Sequence, residues 1–271
     1  VEQYRHATRS PEPYWTEALR RDPEDARSNN ALGLRCLRRG EFMQAEEHLR
    51  RAISSLTRRN GNPYDGEPYY NLGLALRYLD RRQEAYAAFY KATWNYAWRA
   101  ASFHALAELD ATRGDWEQAL EHAGQSLRTN ADDLNVRNLS VLLLRRLERT
   151  VEADGMLAGI LKLDPLDAWA GHLATDTFSA GEQTRLDIAF DYARAGFYEE
   201  ARRLLVAANA PMLLYVRAFC EAGLGQSAKE SFAAAAQAPP DYCFPSRLEE
   251  MLVLEFAIAE NPRDARAHYY L

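Results

Sequence analysis

Asn71-Leu72-Gly73-Leu74-Ala75-Leu76-Arg77-Tyr78-Leu79-Asp80-Arg81-Arg82-Gln83-Glu84-Ala85-Tyr86-Ala87-Ala88-Phe89-Tyr90-Lys91-Ala92 holds two helical patterns joined by a turn. In its second half, Ala85, Phe89 and Ala92 fall at i, i+4 and i+7, one stripe of a helix. In its first half, Leu72 is followed by the small Gly73. The same arrangement recurs along the chain. Alanines that open a second helix stand at Ala45, Ala85, Ala119, Ala153, Ala201 and Ala228, with spacings of 40, 34, 34, 48 and 27 residues. Four residues on from each come Leu49, Phe89, Ala123, Leu157, Leu205 and Phe232, and seven on come Ala52, Ala92, Ser126, Ile160, Ala208 and Ala235. Five residues before them stand Gly40, Asp80, Gly114, Glu148, Gly196 and Gly223, where a tight inter-helix turn favours positive φ.

The leading helices carry their own mark in Ala31-Leu32-Gly33, Asn71-Leu72-Gly73, Ala105-Leu106-Ala107 and Asn138-Leu139-Ser140. A small residue there lets the second helix cross closely, and the alanine opening that helix is its counterpart. Pro165 and Pro240 stand twelve residues after their alanines, and Pro23 and Pro262 end similar helices, because proline cannot continue one. A period near 34 with these marks resembles the tetratricopeptide repeat over residues 12–271. The resemblance implies an all-α solenoid, a right-handed superhelix of about six to seven helix-turn-helix repeats with irregular insertions. Residues 1–165 read as a regular array with an N-terminal half-repeat, and 166–271 as less regular helices of the same continuous solenoid ending in a truncated repeat.

The departures from period place the irregularities. A spacing of 40 against 34 puts an excess of 6 residues in the loop-like run 59–66. A spacing of 48 leaves 14 extra residues after Pro165, enough for a short additional helix within 168–178. The spacing of 27 before Ala228 shortens a pair, and Pro240 to Pro262 leaves room for one helix over about 246–260. Residues 264–271 read as half of another leading helix, so the chain is expected to be cut from a longer protein, and a dimer through that end would be suspect.

A closer resemblance rests on the run from Asn62-Pro63-Tyr64-Asp65-Gly66 to Gly73 and on Ala88 to Trp98, with segments 126–131 and 240–247. These are similar to bacterial proteins in which tetratricopeptide repeats follow an N-terminal domain of unknown function, number 5107. That resemblance implies a β-rich N-terminal module with a carbohydrate connection.

Composition narrows the function classes. With 27% charged and 47% hydrophobic residues the chain has a folded protein's make-up, and charged residues interrupt every apolar run before spanning length. The net charge of −6, from 33 basic and 39 acidic residues, comes without a basic block, which argues against nucleic acid. Cys36, Cys220 and Cys243 are too few and scattered for a disulfide framework or a zinc site. No membrane partner and no cofactor is expected, and the expected location is cytoplasmic.

In tetratricopeptide-repeat proteins the leading helices line a concave groove that takes extended peptides or another domain. Matching positions here are Asn30 and Arg38; Tyr70, Asn71, Arg77 and Tyr78; His104 and Glu108; and Arg137, Asn138 and Arg145. The partner expected is a protein or peptide, or the N-terminal domain of the full-length chain. The carboxylate clamp of chaperone-binding relatives does not fit, because Leu34, Ala101 and Ala105 replace clamp donors beside Asn30 and Asn71. Tyr90, Trp94, Tyr96, Trp98 and Phe103 read either as inter-repeat filling or as a binding patch. Catalysis has thin material: His104 and Glu108 lie one helical turn apart, but two ligands are not a metal site. A carbohydrate-binding or carbohydrate-active α/α-type domain is the second reading, since such folds are also built of helix pairs with aromatic linings.

Overall fold

The computed structural model describes residues 11–62, 64–240 and 243–271; Pro63 of the quoted loop, and Asp241 and Tyr242 of the 240–247 segment, lie outside them, as does the start of the expected half-repeat. The fold is all-α, with sixteen helices and no strand among the described residues. Two compact units divide the chain, the first running to Leu106 and the second from Ala107.

In the first unit α1 (Glu12–Arg21) precedes two helix pairs, α2 (Ala26–Arg38) with α3 (Phe42–Thr57) and α4 (Glu67–Tyr78) with α5 (Arg82–Ala92), and α6 (Tyr96–Thr112) begins. Asp25 caps α2 by accepting from the Ser28 amide at 2.8 Å. The apolar stripes meet as the spacing demands: Ala45, Leu49, Ala52, Ala85, Phe89 and Ala92 are all fully buried. At each crossing a glycine faces the large residue of its partner helix. A Cβ on Gly33 would lie 2.7 Å from Leu49 Cγ, and one on Gly73 would lie 2.6 Å from Phe89 Cδ1. Leu72 is buried, while Leu32 is half-buried.

The second unit holds the end of α6 with α7 (Trp116–Thr129), then α8 (Leu134–Arg146) with α9 (Thr150–Leu163). After Pro165 comes the additional helix, α10 (Ala168–Thr175), followed by α11 (Glu182–Arg194) with α12 (Tyr198–Leu205). The unit closes with α13 (Pro211–Gly223), α14 (Lys229–Gln237), α15 (Leu248–Glu260) and α16 (Ala265–Tyr270). Ala119, Ala153 and Ala201 are fully buried. The turn residues before all five regular alanines have positive φ, at 76° for Gly40, 56° for Asp80, 79° for Gly114, 58° for Glu148 and 79° for Gly196.

The sixth repeat corrects the register. Ala228 is the residue preceding α14 and is only half-buried, as is Phe232. The buried positions of α14 and its end are instead Ser231, Ala235 and Ala238, which keep the +4 and +7 offsets three residues further on. The left-handed residue is Gly225 at 70°, whereas Gly223 still belongs to α13. A longer turn between Gly225 and α14 causes the slip. Pro240 lies just beyond this helix, as Pro165 lies beyond α9.

Candidate functional site

The leading-helix positions divide into side chains that build the fold and side chains that face outward. In the first unit, Asn71 is buried and its Nδ2 donates to Asn30 Oδ1 at 3.4 Å, joining α4 to α2. Tyr70 stacks on Trp98 with centroids 4.9 Å apart, and Tyr78 stacks on Phe42 at 4.8 Å, so both rings are half-committed to packing. Asn30, Arg77 and His104 are half-buried and Arg38 is exposed. The aromatic cluster splits. Trp98 and Phe103 are half-buried, while Tyr90, Trp94 and Tyr96 are 50%, 53% and 69% exposed. Lys91 Nζ sits 3.6 Å above the Trp94 ring, a cation–π contact.

In the second unit, Asn138 is fully buried and works on the scaffold. Its Nδ2 donates to Asp167 Oδ1 at 3.0 Å, and that carboxylate accepts from the Ala170 amide, capping α10. The asparagine therefore fixes the cap of the inserted helix from the neighbouring α8. Asn138→Ala is expected to cost about 1–2 kcal/mol in urea unfolding, like the loss of a cap. Asp167→Ala should cost a similar amount and the double variant less than the sum of the two.

Glu108, expected on the groove surface, is buried at 6% exposure and engages Arg194 of α11 at 3.3 Å. Arg194 also binds Glu249 of α15 at 2.8 Å and Asp191 on its own helix, so one guanidinium serves three carboxylates. Burial pushes the Asp191 carboxyl up to about 7, with Glu108 and Asp187 adding to the rise and Arg194 opposing it. Burial alone would lower the Arg194 guanidinium, but Glu108, Asp191 and Glu249 outweigh it and hold it above its ordinary value. Nearby on α6, buried Asp110 accepts from the His122 ring at 2.6 Å, and the other ring nitrogen of His122 faces Gln118 at 3.3 Å. Among the described residues no group of three or more His, Cys, Asp or Glu side chains is placed to hold a metal ion.

Arg137 donates to the Ala131 carbonyl at 2.8 Å, and exposed Arg145 to the Leu173 carbonyl at 2.9 Å. Arg145 stands at a cleft of about 330 Å³ floored by Leu142, Leu173 and Tyr192. Its other polar walls, Arg146, His172, Asp176, Glu200 and Arg203, were outside the leading-helix set read from the sequence. They come from the end of α8, from the inserted helix and its end, and from α12. The excess of residues after Pro165 was the one signal that something is built there.

No protein-family model matches the chain. Among solved structures it is similar to the C-terminal part of a TPR repeat-containing protein from Cytophaga hutchinsonii, at 12% identity over 96% of this chain and 93% of that one, with a TM-score of 0.51. It is also similar to MamA, at 20% identity over 56% of this chain and 85% of that one, with a TM-score of 0.50. No helix among the described residues is long and apolar enough to cross a membrane. The helix pairs, their crossings and these likenesses together make the fold that of the tetratricopeptide repeat.

Proposed function

We propose that this chain is a non-catalytic protein-binding scaffold that receives a protein or peptide segment on the outward faces of its leading helices. The observation that carries this reading is the division just described. Behind those faces Asn71, Asn138 and Glu108 are consumed by the fold, while Arg38, Arg137 and Arg145 at neighbouring positions keep guanidinium groups at the surface. Repeat arrays bind along such extended faces, and arginine is favoured in protein interfaces. The first partner to test is the N-terminal domain implied by the closer resemblance, followed by extended peptides.

The test is a calorimetric titration of the whole chain with the separately expressed domain and with a peptide panel. Binding should weaken at least fivefold in Arg38→Ala or Arg137→Ala with the melting temperature unchanged. Absence of any saturable binding at high micromolar concentration would remove intramolecular docking, and equal affinity in both variants would move the interface elsewhere. The exposed Tyr90, Trp94 and Tyr96 favour a second reading, stacking on sugar rings, which an oligosaccharide thermal-shift screen tests directly.

A further inference from the structure

We infer that the cleft formed by α8, α10, α11 and α12 binds a phosphoryl oxyanion. Six polar side chains wall it: Arg145, Arg146, Arg203, His172, Asp176 and Glu200. Three guanidinium groups thus face two carboxylates in one concavity of a chain whose net charge is −6.

The engagements of those side chains decide which donors remain. Arg146 is committed: it binds Glu200 at 2.6 Å, and its guanidinium carbon lies 5.3 Å from the Phe197 ring centroid. Arg203 gives its Nε to Glu199 at 3.0 Å, which leaves the other edge of its planar fork. Arg145 uses one terminal nitrogen on the Leu173 carbonyl and pairs with no carboxylate among the described residues. Other arginines of the second unit do pair with carboxylates, as Arg113, Arg149, Arg194, Arg202 and Arg247 show. The His172 ring is set by the contact of Nδ1 with the Thr177 carbonyl at 3.3 Å and packs edge-on to Phe178 and Tyr192. With Nδ1 engaged in that contact, Nε2 is the ring atom left over.

This set suits phosphate better than a single carboxylate. Guanidinium forks match phosphate oxygens two at a time, and a phosphoryl group offers three acceptor oxygens against two. The volume exceeds that of the anion, so the apolar floor of Leu142, Leu173 and Tyr192 can seat the group that carries it. The site draws on a leading helix, a trailing helix and the inserted helix, a different construction from a clamp built on successive leading helices. Asp176 works against an anion, and it stands in the left-handed conformation at φ 55°, which asparagine also tolerates. The phosphoryl group belongs either to a modified side chain of a bound segment, which rests on the scaffold reading, or to a free small molecule, which does not.

The experiment is calorimetry on the whole chain with inorganic phosphate, phosphoserine, serine, and a phosphoserine peptide beside its unphosphorylated twin. Phosphoserine should bind saturably and serine should not. Arg145→Gln should weaken phosphoserine at least tenfold, and Asp176→Asn should tighten it severalfold with unchanged circular dichroism. The Asp176 variant keeps the test decisive where the Arg145 variant fails to fold. A phosphopeptide tighter than phosphoserine assigns the group to a partner, and equal affinities assign it to a small molecule; either supports the site. No saturable binding of any phosphorylated probe at millimolar concentration, or binding indifferent to Asp176→Asn, overturns it. Peptide binding that ignores phosphorylation also overturns the oxyanion site while leaving the scaffold function standing.

Discussion

Gly73→Leu is expected to lower the stability of the chain by about 3 kcal/mol in urea unfolding, at the upper end of the cost of overpacking a core. A single Cβ at this position would already sit 2.6 Å from two carbons of the fully buried Phe89 ring, and leucine brings three more carbons. The gain in helix propensity over glycine, roughly 0.7 kcal/mol, is too small to offset that overlap. The ring cannot simply turn away, because it also packs against Tyr70 with centroids 5.6 Å apart. Gly159→Ala is the matched control. It lies within α9 with nothing inside 4 Å of an added Cβ, so alanine there should raise stability by about 0.5–1 kcal/mol. Should Gly73→Leu prove neutral while Gly159→Ala stabilises, the crossing of α4 and α5 is not where the small residues place it.

That crossing was legible in the sequence because a steric demand repeats at fixed intervals. Gly33 against Leu49 and Gly73 against Phe89 are the same geometry written twice, and the turn residues from Gly40 to Gly196 follow the same rule even where Asp80 and Glu148 replace glycine. The short α10 was legible as an excess of length. The register of α14 was not, because Ala228 and Ala233 to Ala236 let several alignments satisfy an alanine pattern, and only the length of the Gly225 turn chooses among them. The site was legible only in part. Positions on the leading helices can be counted, but whether a polar residue there faces out depends on a partner far along the chain. Asn138 meets Asp167 and Glu108 meets Arg194, pairings across 29 and 86 residues that leave no periodic trace. The aromatic cluster failed to resolve for a similar reason: composition alone does not separate Trp98, stacked on Tyr70, from the exposed Trp94.

The Arg194 cluster yields the other large effect. Arg194→Met is expected to destabilise the chain by about 3 kcal/mol at pH 8, because Glu108, Asp191 and Glu249 would be left together without their shared counter-charge. The Arg194 side chain is 31% exposed, which keeps the figure at the lower end of what breaking a buried pair costs. The loss should shrink at pH 5, where Asp191, with its carboxyl raised to about 7, carries a proton in the folded state. The same shift sets a sign for the native chain. A carboxyl raised on folding binds its proton more tightly in the native state, so its contribution is fully present below the ordinary value of 3.8 and is lost as the pH rises through about 7. Between pH 5 and 7 the difference in unfolding free energy between the native chain and Asp191→Asn should therefore move against the native chain, by at most about 1.4 kcal/mol per pH unit. Carboxylates held low by arginines, such as Glu199 at about 2, do not titrate in that window. Subtracting the variant also removes any histidine contribution common to both proteins, including that of His48, which burial lowers. Urea unfolding at several pH values, followed through the buried Trp169 of the same unit, reads the effect. A difference that stays flat from pH 5 to 7 would mean that Asp191 is already ionised throughout, with Arg194 outweighing burial after all.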